Sequence, residues 1–259
     1  MSLSHPAAPA QPPHILDNAA WAALTGPHAR FAERVGRAAR YPTDVSPFTA
    51  LDDPADPRAW DDLAALVGPG TVTPVTGVRS VPGGWETEQT GEGVQLIDTA
   101  LRAEPAPEAV RLGLADVSEI LELIGLTRPG PFLPRTVELG TYLGIRDHGR
   151  LVALAGERLR PPGWTEISAV CTHPGHRGRG LATRLVRAVA AGIRERGDVP
   201  FLHTAASNTD AIRLYESIGF TLRHRSRFVL VRSPHARDGD AGRPERPQAG
   251  SLLSPRPAG

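Results

Sequence analysis

The stretch HRGRGLATRLVRAVAAG (residues 176–192) sets arginines and glycines directly against the start of an apolar helical pattern. A helix N-terminus leaves about four backbone N–H groups without partners and carries roughly half a positive charge, so it attracts anions. Glycine lets an oxygen-rich ligand come close to the backbone. Gly178 and Gly180 supply that access, and Arg177 and Arg179 add charge, so a diphosphate is the natural guest of this turn. A P-loop is excluded, because its pattern needs a lysine and the chain contains none. A dinucleotide fingerprint fails too, because Gly178-x-Gly180 is not completed by a third glycine. On this motif alone, a plain glycine turn with solvated arginines is the rival reading.

A second motif, NTDAIRLYESIGF (residues 208–220), places Asn208 at a helix start and Tyr215 two turns along. In this order and spacing, R-G-R-G-L-A and N-x-x-A-x-x-L-Y-E-x-x-G-F closely resemble the acyl-CoA-binding and catalytic motifs of the GCN5-related N-acetyltransferase (GNAT) superfamily. The chain looks most like its FR47-like branch, over about residues 110–231. The resemblance implies acetyl-CoA as co-substrate and direct transfer of an acetyl group to a primary amine on a small molecule or amino acid. A protein lysine or N-terminal acetyltransferase and a non-catalytic CoA-sensing module are the alternatives.

The same resemblance implies roles for particular residues. Backbone N–H groups of Arg177, Gly178, Arg179, Gly180, Leu181 and Ala182 would hold the CoA pyrophosphate. The preceding strand would splay from its neighbour, so that backbone near Val170 and Thr172 pairs with the pantetheine arm. Asn208 would bond that arm from the other side, and Tyr215 would protonate the departing sulfur. Strand alternation puts Glu166, Ser168, Val170 and Thr172 on one face. That makes Glu166 the first candidate for the base that deprotonates the amine, with Glu157 on the adjacent strand the second and a water chain the third. For each carboxylate a solvated or salt-bridged role is the rival reading. The same alternation turns Cys171 away and argues against an acyl-cysteine.

These residues need a scaffold of alternating strands and helices. A helix is expected in DVSEILELIGL (116–126), capped by Asp116, followed by a breaker-rich segment, TRPGPFLPR (127–135), and two strands in 141–159 that turn at 147–149. TEISAVCT (165–172) and PFLHTAA (200–206) read as strands flanking the glycine-loop helix, whose Leu181, Leu185, Val189 and Ile193 recur every four residues. FTLRHRSRFVLVR (220–232) reads as two strands or a bent hairpin, with RHRSR on a solvated face. Upstream, Asp56 caps a helix in 56–68. TVTPVTGV (71–78), WETEQT (85–90) and GVQLI (93–97) read as short strands, Pro74 arguing for an edge. The fold class is α/β: a GNAT-like, mixed but mostly antiparallel central sheet with flanking helices. The boundaries are a disordered tail over 1–13, a smaller N-terminal α/β region over 14–101 that could be a degenerate half of the same fold, a linker over 102–109, the acetyltransferase domain over 110–232 and a disordered tail over 233–259. The acceptor pocket is expected to use 127–135 and a turn within RHRSRF, with Arg128 and Arg135 favouring a carboxylate on the acceptor.

Bulk properties narrow the partners. A chain of 259 residues can bury a substantial core, and a formal net charge of +1 gives no general attraction to nucleic acid or acidic membranes. One cysteine forbids an internal disulfide and fits a reducing cytoplasm, and no apolar run is long enough to span a bilayer. His173 and His176 lack further ligands for zinc, and LDDPADP (51–57) lacks the glycine and terminal glutamate of an EF-hand, so no metal is expected. The expected partner is a small-molecule amine, with no nucleic acid and no membrane, and a homo-oligomer is left open.

Overall fold

The computed structural model describes residues 13–78 and 80–235. The tails expected over 1–13 and 233–259 fall outside this range except at its margins. Ser233 is buried, and its hydroxyl donates to the Gly68 carbonyl at 2.6 Å. In chain order the elements are α1 (Ala19–Leu24), β1 (Glu33–Val35), β2 (Ala38–Arg40), β3 (Thr49–Leu51), α2 (Pro57–Val67), β4 (Val72–Thr76), β5 (Glu86–Asp98), β6 (Val110–Leu112), α3 (Val117–Thr127), β7 (Tyr142–Asp147), β8 (Arg150–Glu157), β9 (Trp164–Thr172), α4 (Leu181–Glu195), β10 (Val199–Ala205), α5 (Thr209–Ser217) and β11 (Phe220–Arg232).

Eight strands form the central sheet in the order β4-β11-β5-β10-β9-β8-β7-β6, and β1-β2-β3 form a small second sheet. Among the described residues only β9 and β10 run parallel, because α4 carries the chain across between them. This is the mixed, mostly antiparallel sheet with flanking helices that the motifs imply.

One face of the sheet carries α4 and α5. Leu181, Leu185, Val186, Val189 and Ile193 pack with Ala153, Ala155, Ile167 and Leu202. Burying each larger apolar side chain of this kind is worth about 1.5–3 kcal/mol. The other face carries α3, with Ile120, Leu123 and Ile124 against Leu154 and Cys171, and an N-terminal layer in which Leu16, Ala20, Leu24 and Tyr41 meet Leu159 and Phe201.

The N-terminal region enters the central sheet itself. A hairpin within 220–232 would have placed its own second strand beside β11. Instead β5 lies between β10 and β11, pairing Leu96 with Leu202 on one side and with Leu222 on the other. β11 therefore runs as one strand with irregularities at Leu222/His224 and Leu230/Val231. β5 is likewise one strand where two were expected. Gly91, between the two expected strands, lies under the Phe228 ring, where any side chain would run into it. β4 is the edge strand that Pro74 demanded.

Residues 102–109 strap across α4, with Glu108 paired to Arg184 at 2.7 Å. Asp56 caps α2 by accepting from the Arg58 N–H at 2.9 Å. Asp116 does not cap α3. Its carboxylate accepts from the Gly113 N–H at 2.9 Å and pairs with Arg146 at 2.8 Å.

Candidate active site

The parallel pairing of β9 with β10 ends at Ile167↔Leu202, although β9 continues to Thr172 and β10 to Ala205. The cause is a bulge in β9. Against β8, Ser168 pairs with Gly156 and Cys171 with Leu154, so β9 carries one extra residue there, and Ala169 takes φ 55°. Past this point the strands part, and the β9 edge facing β10 is left without a strand partner over the segment containing Val170 and Thr172. The bulge also overturns the expected alternation. Val170 packs with Ile167 on the α4 face, and Cys171 joins the α3 face. Cys171 therefore lines the cleft after all, but burial pushes its thiol up to about 11, which keeps it protonated and a poor nucleophile at neutral pH.

The glycine loop lies at the end of β9. Gly178 and Gly180 have φ of 75° and 71°, and a Cβ at Gly178 would meet nothing within 4 Å. Gly180 is the N-cap of α4 and brings no side chain to the helix end. The first helical bond is the Arg184 N–H to the Gly180 carbonyl, so the N–H groups of Leu181, Ala182 and Thr183 have no intrahelical partner. All three residues line the cleft beside Arg177, Gly178 and Gly180. An uncapped helix end with open space at a left-handed glycine fits an incoming diphosphate. Arg179 does not line the cleft as expected. It turns to Asp147 at 3.7 Å, and Asp147 also meets His176 Nε2 at 2.9 Å. His173 accepts from the Gly175 N–H at 3.1 Å. The two histidines brace the loop, and among the described residues no group of side chains is placed to hold a metal ion.

Across the gap, Asn208 caps α5. Its Oδ1 accepts from the Ala211 N–H at 3.3 Å, while its amide NH2 has no partner among the described residues and borders the cleft. Tyr215 is 7% exposed and edge-packed on Phe220 at 6.1 Å. Among the described residues its hydroxyl has no hydrogen-bond partner, and the residue lines the cleft. Burial, with Cys171 adding to it, pushes the phenol up to about 12, so it stays protonated at neutral pH.

The two carboxylates proposed as bases are placed differently from expectation. Glu157 is buried but points to the C-terminal end of α4, where Arg196 holds it at 2.7 Å, and it does not line the cleft. Glu166 is fully buried, and Arg158 clamps both its oxygens at 2.7 and 2.9 Å. One of the same oxygens lies 2.7 Å from His203 Nδ1. Burial alone would raise its pKa, but Arg158 and then His203 outweigh it and hold the carboxyl far below the usual carboxylate range. A carboxylate so occupied is a poor proton acceptor. The reading of Glu166 as a free base facing the thioester is corrected to that of a clamped anion.

Arg158, His203 and Gln95 are site residues that sequence reasoning missed. Each lines the cleft. The signal for His203 was present: a single imidazole in the apolar strand PFLHTAA, two residues from the β10 partner of Glu166. Gln95 carried no local signal, because its strand reaches the site only through long-range pairing.

One cleft of about 1620 Å³ joins these groups and passes through the sheet where β9 and β10 part. On the helix side it is lined by Leu181, Ala211 and Tyr215, and on the other by Leu16, Asn18, Phe48 and Pro54 of the N-terminal layer. Thr127, Arg128 and Gly130 contribute as the breaker-rich segment implied. Arg135 does not, because Glu138 and Asp44 hold it at 2.7 and 3.3 Å. The expected turn in RHRSRF is continuous strand, from which His224, Ser226, Arg227 and Phe228 reach the cleft. Nor is that segment one solvated face, since Arg223 turns inward to Gln95 and Asp17.

A cleft through a parted parallel strand pair, with an uncapped helix end on one side, can seat a phosphate-bearing donor opposite an acceptor. The family model of FR47-like proteins matches residues 142–229. N-alpha-acetyltransferase RimI of Mycobacterium tuberculosis is 35% identical over 109 residues, which is 40% of this chain and 68% of that protein. A crystal structure of a GNAT-family protein from Novosphingobium aromaticivorans shares 38% identity at a TM-score of 0.78, covering 86% of this chain and all of the other. The mycothiol acetyltransferase of Thermomonospora curvata is 36% identical over 83 residues, 32% of this chain but only 28% of that protein. The chain belongs to the GNAT family of acetyltransferases, and its enzyme class is acyltransferase.

Proposed function

We propose that the protein transfers an acetyl group from acetyl-CoA directly to the primary amine of a small molecule. The observation that carries this reading is the cleft that crosses the sheet between β9 and β10. A donor seated on the α4 side and an acceptor entering from the N-terminal layer meet at the gap without crossing one another. The N–H groups of Leu181, Ala182 and Thr183, with Arg177 nearby, take the pyrophosphate. The free edge of β9 near Val170 and Thr172, and the NH2 of Asn208, pair with the amides of the pantetheine arm. Tyr215 donates a hydrogen bond to the sulfur as charge develops there.

On the acceptor side, Leu16, Phe48 and Pro54 wall the cleft, and Asp17, Asp52 and Asp53 line it. A concave cleft lined by these apolar side chains favours a small molecule over a protein surface. Asp17 and Asp52 are paired with Arg223 and Arg37, and Arg128 lines the same cleft, so an acceptor that carries both an amine and a carboxylate meets a partner for each. A second reading, acetylation of a protein N-terminus, is favoured by the similarity to RimI. Thiol release from acetyl-CoA, followed across free amino acids, alkyl diamines and short peptides with free N-termini, tests both readings. Turnover confined to peptides would replace the first with the second, and calorimetric binding of acetyl-CoA without any amine turnover would reduce the protein to a CoA-binding module.

A further inference from the structure

With both carboxylates occupied, the acceptor amine still needs a group to take its proton, and the cleft offers three imidazoles. His176 is at the pyrophosphate loop, and His224 is on β11, two strands from β10. His203 is the first residue of β10 beyond its last pair with β9, at the apex of the gap. Its side chain is 27% exposed, while Glu166 behind it is fully buried.

The neighbours of His203 determine which ring nitrogen carries the lone pair. Gln95 Oε1 accepts from Arg223 Nε, and arginine can only donate, so the Gln95 amide nitrogen faces the other way. That nitrogen gives one hydrogen to the Leu16 carbonyl at 2.9 Å and the other to His203 Nε2, also at 2.9 Å. Nε2 therefore carries the lone pair. Nδ1 carries the hydrogen and donates it to Glu166 at 2.7 Å. Phe201 packs on the ring at 5.7 Å, and the charged groups around it are Glu166, Arg158 behind Glu166, and Arg223 with its partner Asp17 behind Gln95.

Resting on the N-acetyltransferase reading, we propose that His203 is the base that accepts the proton of the attacking amine, and that Glu166 is its positioning residue. The amine, having left its ammonium proton to solvent, enters neutral and displaces the Gln95 N–H from Nε2. Its nitrogen bonds to the acetyl carbonyl carbon, the C–S bond breaks and the electron pair leaves on sulfur. The surplus proton on nitrogen passes to Nε2. Glu166 stabilises the imidazolium that results, and Arg158 keeps Glu166 ionised so that it can do so. The ring then releases its proton to solvent, and the thiolate takes one up.

The test uses the full chain and the panel amine that wild type acetylates fastest. His203→Ala should lower kcat/KM by about 10²-fold or more at neutral pH. Acetyl-CoA affinity, read by calorimetry, should stay unchanged. Added imidazole should restore turnover in proportion to its neutral form, which no structural role for His203 predicts. Glu166→Gln should lower kcat and shift the acid limb of the pH–rate profile down, because the imidazolium loses its anionic partner. Should burial of an unpaired Arg158 unfold that variant, His203→Ala carries the test alone, since its site is partly open. A folded His203→Ala with wild-type turnover, or with a loss that imidazole does not touch, overturns the assignment while leaving the acetyltransferase reading intact. Wild-type protein that binds acetyl-CoA but acetylates no amine of the panel overturns both.

Discussion

Replacing Tyr215 by phenylalanine isolates a single hydroxyl. The ring packs on Phe220 within the α4-side core, and the hydroxyl has no protein partner among the described residues, so Tyr215→Phe should change stability by less than about 1 kcal/mol. The size of the kinetic effect follows from two proton affinities. Burial holds the phenol at about 12, above a free thiol near 8.5, so complete transfer of the proton to a departing thiolate runs uphill. Complete proton transfer is therefore opposed, and sharing the proton is the smaller demand. What it can supply is a hydrogen bond to a charged sulfur, worth about 1.5–3 kcal/mol. That converts to a fall in kcat of about 10- to 150-fold. Acetyl-CoA affinity should hardly move, since the bond strengthens only as charge appears on sulfur. Steady-state kinetics at saturating amine, beside calorimetric titration of acetyl-CoA, measures both. Wild-type kcat in the variant would reduce Tyr215 to packing, and a large loss of affinity would make its hydroxyl a binding group.

Three further outcomes are expected. Gly180→Asp should weaken acetyl-CoA binding at least about tenfold in calorimetry, because it sets a side chain and a negative charge at the helix end meant for the pyrophosphate, at a φ of 71° that favours glycine. Stability should fall with acid through His28, which is 2% exposed beside Tyr41 and held down to about 4 by burial and then by Arg30. The unfolded chain takes up this proton first, so the contribution is whole above pH 6.5, shrinks as pH falls and has lost about 3 kcal/mol by pH 4. Urea titrations at several pH values should show a flatter acid limb for His28→Phe than for wild type, and identical slopes would remove His28 as the cause. A chain beginning at residue 102 lacks β4 and β5 and leaves β10 and β11 without the strand between them. It should lose cooperative thermal unfolding, and a cooperative transition would restore 102–109 as a boundary between independent units.

What could be read in the sequence divides along the range of the interactions. The glycine loop and the Asn208 cap were legible because each is a local demand on the backbone, met by residues within one turn. Tyr215 was legible as part of a short motif on one helix. The bulge in β9 was not, because Ala169 is an ordinary residue and its φ of 55° arises from register against β8. Missing that single extra residue reversed the faces of Val170 and Cys171. The polar chain from Arg158 through Glu166, His203, Gln95 and Arg223 to Asp17 was out of reach for the same reason. Its members come from β9, β10, β5, β11, the turn before α1 and the residue after β8, so Glu166 and His203 each carried a local signal but their connection did not.

This division has a functional consequence. The proposed donor half of the cleft is encoded in contiguous motifs, each within one loop and the helix that follows it. The acceptor half is assembled by pairing β5 with β10 across more than a hundred residues and by layering the N-terminal region over the opening. Changes in α1, in the loop after β3 or in β5 can therefore alter which amine reaches His203 while leaving the acetyl-CoA motifs untouched. Specificity in this chain should be sought among residues 13–98, where the family motifs are silent.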